Sequence, residues 1–207
     1  MSVAARPGDI RLLALGDSYT IGEGVSPDAR WPVRLAELLH SAGFRVNTPT
    51  IVARTGWTTA ELSAGIDAAS PASDFDLVTL LVGVNDQYRG LAGAEYRADF
   101  HVLIRRAIGF AGGRAGCVVV LSIPDWSVTT FADGRDRAQI AAEIDAFNEI
   151  NYREAQRAGA AYLDITTSSR RAAADASLIA DDGLHPSAAM YEEWARLLLP
   201  LAQTALS

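Results

Sequence analysis

The sequence contains one cysteine, Cys117, and it lies in an apolar run. No disulfide can close within the chain and no cysteine-based metal cluster can assemble, so Cys117 reads as packing. Histidine is almost as scarce: His40, His101 and His185 are far apart in sequence, and no HExxH pattern occurs. That leaves no donor set for metal catalysis, and no metal is expected. Glycine-rich phosphate loops are missing as well, since neither GxxxxGK[ST] nor GxGxxG opens the first helix, and no cofactor is expected. Positive charge is in deficit, with 18 basic residues against 25 acidic ones and a net charge of -7. Such a balance repels nucleic-acid backbones and anionic lipid surfaces, which points to a small, neutral molecule as partner. No apolar run approaches the roughly 20 residues needed to span a bilayer. Residues 1–9 carry Pro7 and Gly8 but no basic region followed by an apolar one and a cleavage site. The expectation is a loosely ordered N-terminal segment, no signal peptide and a cytoplasmic location.

What is present suits one domain. A chain of 207 residues, 49% of them hydrophobic, can bury a sizeable core but would divide poorly into two. Apolar runs rich in β-branched residues and leucine recur at 10–15, 46–52, 77–82, 118–123 and 161–165, five strand candidates. Helical periodicity fills 30–41, 59–69, 95–111, 137–158 and 188–206. Gly43 and Gly159 fall just past helical stretches, and Asp28 and Ser187 are placed to cap helix starts. Strand and helix alternate, which implies right-handed βαβ units, a parallel sheet and helices on both of its faces. The predicted architecture is a doubly wound α/β/α sandwich.

In such a sheet the loops leaving the carboxyl ends of the strands form a crevice. These loops hold Gly16-Asp17-Ser18-Tyr19-Thr20, Arg54-Thr55-Gly56-Trp57, Gly83-Val84-Asn85-Asp86, Pro124-Asp125-Trp126 and Asp181-Asp182-Gly183-Leu184-His185-Pro186. A serine hydroxyl needs a base to take its proton as it attacks, and imidazole, titrating near working pH, fills that role. His40 ends a helical stretch and His101 lies inside one, so His185, in a crevice loop, is the candidate base for Ser18. Asp182, three residues earlier with Gly183 between, can reach the imidazole and fix its tautomer, whereas Asp181 would need a shifted turn. Donors for an oxyanion are at hand in the Asn85 amide, the backbone N–H of Gly56 and that of Ser18. Asp17 and Asp86 are expected to hold their loops by accepting backbone N–H bonds. Tyr19, Trp57, Tyr88 and Trp126 follow strand ends and are candidates for the walls of a substrate pocket. Arg54 and Arg89 are expected to pair with carboxylates and are left out of the site.

GDS at 16–18, the glycine of RTGWTT at 56, GVND at 83–86 and DGLHP at 182–186 resemble, in order and spacing, the four blocks of the SGNH, or GDSL, hydrolase family. The resemblance spans nearly the whole chain. GVNDQYRG, LSIPDW and DGLHPS further resemble an uncharacterised bacterial subgroup labelled lysophospholipase or esterase. The family resemblance implies a flavodoxin-like sandwich with strand order 2-1-3-4-5, Ser18 as nucleophile and oxyanion donor, Gly56 and Asn85 as further donors, and Asp182 and His185 completing a triad. The implied activity is hydrolysis of a carboxylic ester through an acyl-enzyme. Short acyl or O-acetyl esters come first, because no long apolar segment announces a lipid channel. A lysophospholipid or acyl thioester is the second reading, and a non-catalytic ligand-binding module the rival from another class.

Overall fold

A computed structural model of the protein describes residues 9–207, so the expected loose segment falls, for residues 1–8, outside the described residues. Five parallel strands, β1 (Leu12–Gly16), β2 (Thr50–Ala53), β3 (Leu77–Leu81), β4 (Val118–Leu121) and β5 (Ala161–Leu163), form one sheet in the order β2-β1-β3-β4-β5. Their burial follows from that order. Every residue of the three inner strands is buried, whereas β2 and β5, at the edges, are only partly covered. This is why the inner strands are continuous apolar runs rather than alternating ones.

Eight α-helices accompany the sheet among the described residues: α1 (Ser18–Ile21), α2 (Trp31–Ser41), α3 (Thr59–Ala69), α4 (Val84–Tyr88), α5 (Gly93–Phe110), α6 (Arg137–Ala158), α7 (Thr166–Ser169) and α8 (Ala188–Leu206). From β1 the chain steps outward to β2, then reverses across the sheet to β3, β4 and β5. Because parallel crossovers are right-handed, that reversal puts α2 on one face and α3, α5 and α6 on the other. Packing agrees: α8 returns beside α2 and lies over β3, β4 and β5, while α5 packs against α3 and α6. The three-layer α/β/α sandwich and the strand order 2-1-3-4-5 are those expected.

Element ends have local causes. Thr58 and Glu61 form a reciprocal capping box at the start of α3, Asp136 accepts the Gln139 N–H at the start of α6, and Gly159 ends α6 in the left-handed conformation. Two expected caps differ. Asp28 lies within a 3-10 turn, Pro27–Ala29, and Arg30 stands at the N-cap of α2 without a side-chain bond. Ser187 is at the N-cap of α8 but its hydroxyl caps nothing. The second strand is shorter than the apolar run 46–52, since Val46 makes only an isolated bridge to Ile10 and pairing with β1 resumes at Thr50, after Pro49. Proline has no N–H to give to a ladder.

Candidate active site

The turn after β1 begins with Asp17 at the N-cap of α1, where its carboxylate accepts the Tyr19 N–H at 3.0 Å. Ser18 is therefore the first residue of a one-turn helix and lines an open cleft above the strand ends. Asp17 itself is buried, and burial pushes its carboxyl up to about 8 against the opposing Tyr19 hydrogen bond. After β3, Gly83 adopts φ 131 and leads into α4, which carries Asn85. A Cβ at Gly83 would lie 2.3 Å from the Tyr96 hydroxyl, so neither the backbone angle nor the space admits another residue without strain. Asp86 turns back to accept the backbone N–H (3.0 Å) and hydroxyl (2.6 Å) of Thr59, tying α4 to the start of α3. Asp17 and Asp86 thus bond to backbone N–H groups, as their sequence context indicates.

Asn85 Nδ2 donates to the carbonyl of Trp57 at 2.9 Å, which fixes the amide plane and leaves its second N–H free. Gly56, at φ 84, lines the same cleft. Among the described residues the backbone N–H groups of Ser18 and Gly56 have no protein acceptor. Three donors without partners therefore belong to residues that line one cleft. Arg89 pairs with a carboxylate, as expected, and also bonds to a residue of the cleft. Its Nη2 donates to the Gly56 carbonyl at 2.7 Å and its Nη1 to Glu61 at 3.1 Å, so it ties the Gly56 carbonyl to the first turn of α3.

His185 approaches from the segment before α8. Its Nδ1 lies 2.7 Å from Asp182 Oδ2, while Asp182 Oδ1 accepts the backbone N–H groups of Leu184 and His185, both at 2.9 Å. Partial burial alone would raise the Asp182 carboxyl, but the hydrogen bonds from His185 and Leu184 outweigh it and hold the group below the usual carboxylate range. It is Asp182, and not the adjacent exposed Asp181, that bonds the imidazole. Tyr19 packs edge-on against the imidazole, with ring centroids 5.6 Å apart and planes at 63°, and limits its rotation. Ser18 and His185 line the cleft together, and no hydrogen bond joins them in this structure. Such contacts in free hydrolases tighten when substrate arrives.

The cleft has a volume of about 180 Å³. Tyr19, Tyr88 and Trp126 line it, as do Thr55, Val84, Phe131 and Leu184, which the sequence did not single out. Trp57 is the exception among the expected aromatics: its ring lies against Gly65 of α3, where even a methyl group would collide with it. Its contribution to the site is the carbonyl that holds Asn85. Trp126 is fixed by Nε1 donating to Gln87 at 2.9 Å, and Phe131 N–H donates to the Gly183 carbonyl at 3.1 Å, joining the aromatic wall to the Asp182–His185 turn. Among the described residues no group of three His, Cys, Asp or Glu side chains is placed to hold a metal ion, and no helix is long and apolar enough to cross a membrane.

A flavodoxin-like sheet that carries a serine, an aspartate-paired histidine and unpartnered N–H donors in one cleft defines the class of SGNH-type hydrolases. The chain belongs to the GDSL-like lipase/acylhydrolase family, whose model matches residues 14–193. Solved structures share the fold. The crystal structure of TesA superposes with a TM-score of 0.70 at 20% identity, covering 94% of this chain and 99% of that one. Axe2, an acetylxylan esterase from Geobacillus stearothermophilus, superposes with a TM-score of 0.69 at 17% identity over 98% of this chain and 96% of that one. The psychrotrophic esterase EstA from Pseudoalteromonas sp., in a structure inhibited by monoethylphosphonate, gives 0.68 at 15% over 94% and 97%. No curated protein matches the chain.

Proposed function

We propose that the protein is a serine esterase that cleaves short-chain carboxylic esters through an acyl-enzyme at Ser18. The observation that carries this reading is the 2.7 Å pairing of Asp182 with His185 Nδ1, on a histidine that shares its cleft with Ser18. An Nδ1 hydrogen bonded to a carboxylate carries the proton, which leaves Nε2 as the base. Ser18 Oγ attacks the ester carbonyl carbon and its proton passes to His185 Nε2. The carbonyl oxygen, now negative, is held by the N–H groups of Ser18 and Gly56 and the free N–H of Asn85. Collapse of this intermediate breaks the carbon–oxygen bond to the alcohol, which leaves with the proton from His185. Water repeats the sequence on the acyl-Ser18 ester and releases the acid. Asp182 remains ionised throughout and stabilises the imidazolium that forms at each attack.

The cleft favours a small acyl group. Its volume of about 180 Å³ lies below the ~300 to 1,000 Å³ of pockets that enclose drug-sized ligands. Acetyl to short alkanoyl esters fit this reading, and the naming of Axe2 as an acetylxylan esterase is consistent with it. Lysophospholipid or acyl-thioester cleavage would use the same residues with a longer acyl chain. The test is to treat the purified protein with a fluorophosphonate and then assay 4-nitrophenyl esters from acetate to decanoate. Phosphonylation at Ser18 with loss of hydrolysis, and a profile peaking at short chains, is the expected result. A protein that binds these esters without turnover and ignores the phosphonate would overturn the proposal.

A further inference from the structure

Tyr88, Trp126 and Phe131 form one aromatic cluster along the cleft, with ring centroids 5.7, 5.8 and 6.2 Å apart. Arg135 lies over all three. Its guanidinium carbon is 5.1 Å from the Tyr88 centroid, 5.3 Å from that of Phe131 and 5.5 Å from that of Trp126. Only one of its donors is engaged with protein, Nη2 to the Tyr88 hydroxyl at 3.0 Å. The acidic neighbours in sequence are committed elsewhere: Asp133 pairs with Arg137 at 2.7 Å, and Asp136 accepts the Gln139 N–H at 3.0 Å as the cap of α6. Arg135 is thus a cation without a carboxylate partner among the described residues, in a protein of net charge -7.

A guanidinium seated on ring faces keeps its planar edge free, and that edge matches the two oxygens of a carboxylate or phosphate. We infer that Arg135 binds a negatively charged group of the substrate, so that the cleft prefers esters carrying a carboxylate or phosphate over neutral esters of the same size. This rests on the serine-esterase reading and refines the neutral substrate expected from overall charge: the acidic surface slows the approach of an anion, and Arg135 compensates for it locally. The recognising chemistry is the same whether the anion belongs to the acyl or the alcohol part, and the two are separated experimentally.

For the acyl part, mono-4-nitrophenyl glutarate is compared with 4-nitrophenyl pentanoate; for the alcohol part, 3-acetoxybenzoate with 3-acetoxybenzamide. The readout is the ratio of kcat/KM for anionic over neutral ester, in which any general loss of activity cancels. The wild-type ratio is expected to exceed one by at least ~10-fold in one arm and to shrink as salt is raised. Arg135→Met should bring it to about one, and Arg135→Lys should retain part of it. A wild-type ratio at or below one in both arms, or a ratio that Arg135→Met leaves intact, would overturn the inference while Ser18-dependent hydrolysis of the neutral esters left the esterase reading standing. Hydrolysis of none of the four esters would overturn both.

Discussion

The Asp182 carboxylate holds His185 at two points: Oδ2 meets the imidazole Nδ1 at 2.7 Å, and Oδ1 accepts the backbone N–H of the same residue at 2.9 Å. One side chain thereby fixes both the position of the backbone and the tautomer of the ring. Asp182→Asn should keep the fold and lower kcat by about 100- to 10,000-fold, because an amide that donates to Nδ1 favours the wrong tautomer. Steady-state kinetics on a short acyl ester checks this. Activity within a few fold of wild type would mean that the pairing is structural only.

The same carboxylate makes a prediction about acid stability. The folded protein holds Asp182 below its ordinary range, so the stabilisation is complete above the unfolded value near 3.8 and is lost as pH falls through the lower folded value. Chemical denaturation at pH 6 and at pH 3 should therefore show a smaller acid-induced loss in Asp182→Asn than in wild type. An equal loss would contradict the assigned shift.

Asp17 has the opposite sign. Burial raises its folded value to about 8, while the unfolded carboxyl ionises near 3.8. Stability from this site is greatest below the unfolded value, falls as pH rises from about 4 towards 8, and is level above it. Asp17→Asn, which is neutral at every pH, should gain stability relative to wild type between pH 5 and pH 9. Denaturant midpoints at those two values decide the matter, and a constant difference would contradict it.

Asn85→Ala is expected to lower kcat by roughly 100-fold with little change in KM, since its free N–H is assigned to charge that exists only in the transition state. Arg89→Met should reproduce part of that loss by loosening the Gly56 peptide that Arg89 holds at 2.7 Å. A change confined to KM in Asn85→Ala would make that amide a ground-state contact.

Phe131→Ala should shift the acyl-chain profile towards longer esters, because the ring lines a cleft of about 180 Å³ and Phe131 is held to the Gly183 carbonyl only through its backbone. An unchanged profile would place the acyl group elsewhere.

Long elements were legible in the sequence. Residues 59–69, 137–158 and 188–206 show helical periodicity over several turns, and these are the helices observed. The one-turn helices α1, α4 and α7 were not, since four or five residues contain too little period to read. Ser18, Gly56 and Asn85 stand out in the sequence because each lies in a short motif at a strand's carboxyl end, and Asp182 and His185 because they share the DGLHP motif ahead of the last helix; Ser18, Gly56, Asn85 and His185 line one cleft, and Asp182 bonds His185. Phe131, Arg135 and Arg89 carry no such signal: their roles come from how the segment between β4 and α6 folds back over the cleft and how α4 faces the turn after β2. Trp57 shows the converse, a residue beside a strand end whose ring packs away from the cleft onto Gly65 of α3. Strand-end position locates a backbone, and only packing decides where a side chain turns.

In the proposed mechanism Ser18 is the nucleophile of an ester hydrolase that needs no metal. The most direct measurement is the hydrolysis rate of 4-nitrophenyl acetate by wild type and by Ser18→Ala, each after prolonged chelation with EDTA, with circular dichroism to verify folding. Chelation is expected to leave wild type unchanged, and the folded variant to lose at least ~1,000-fold in kcat. A folded Ser18→Ala protein that turns over at a near-wild-type rate, or a wild-type activity that vanishes on chelation and returns with added metal, would contradict it.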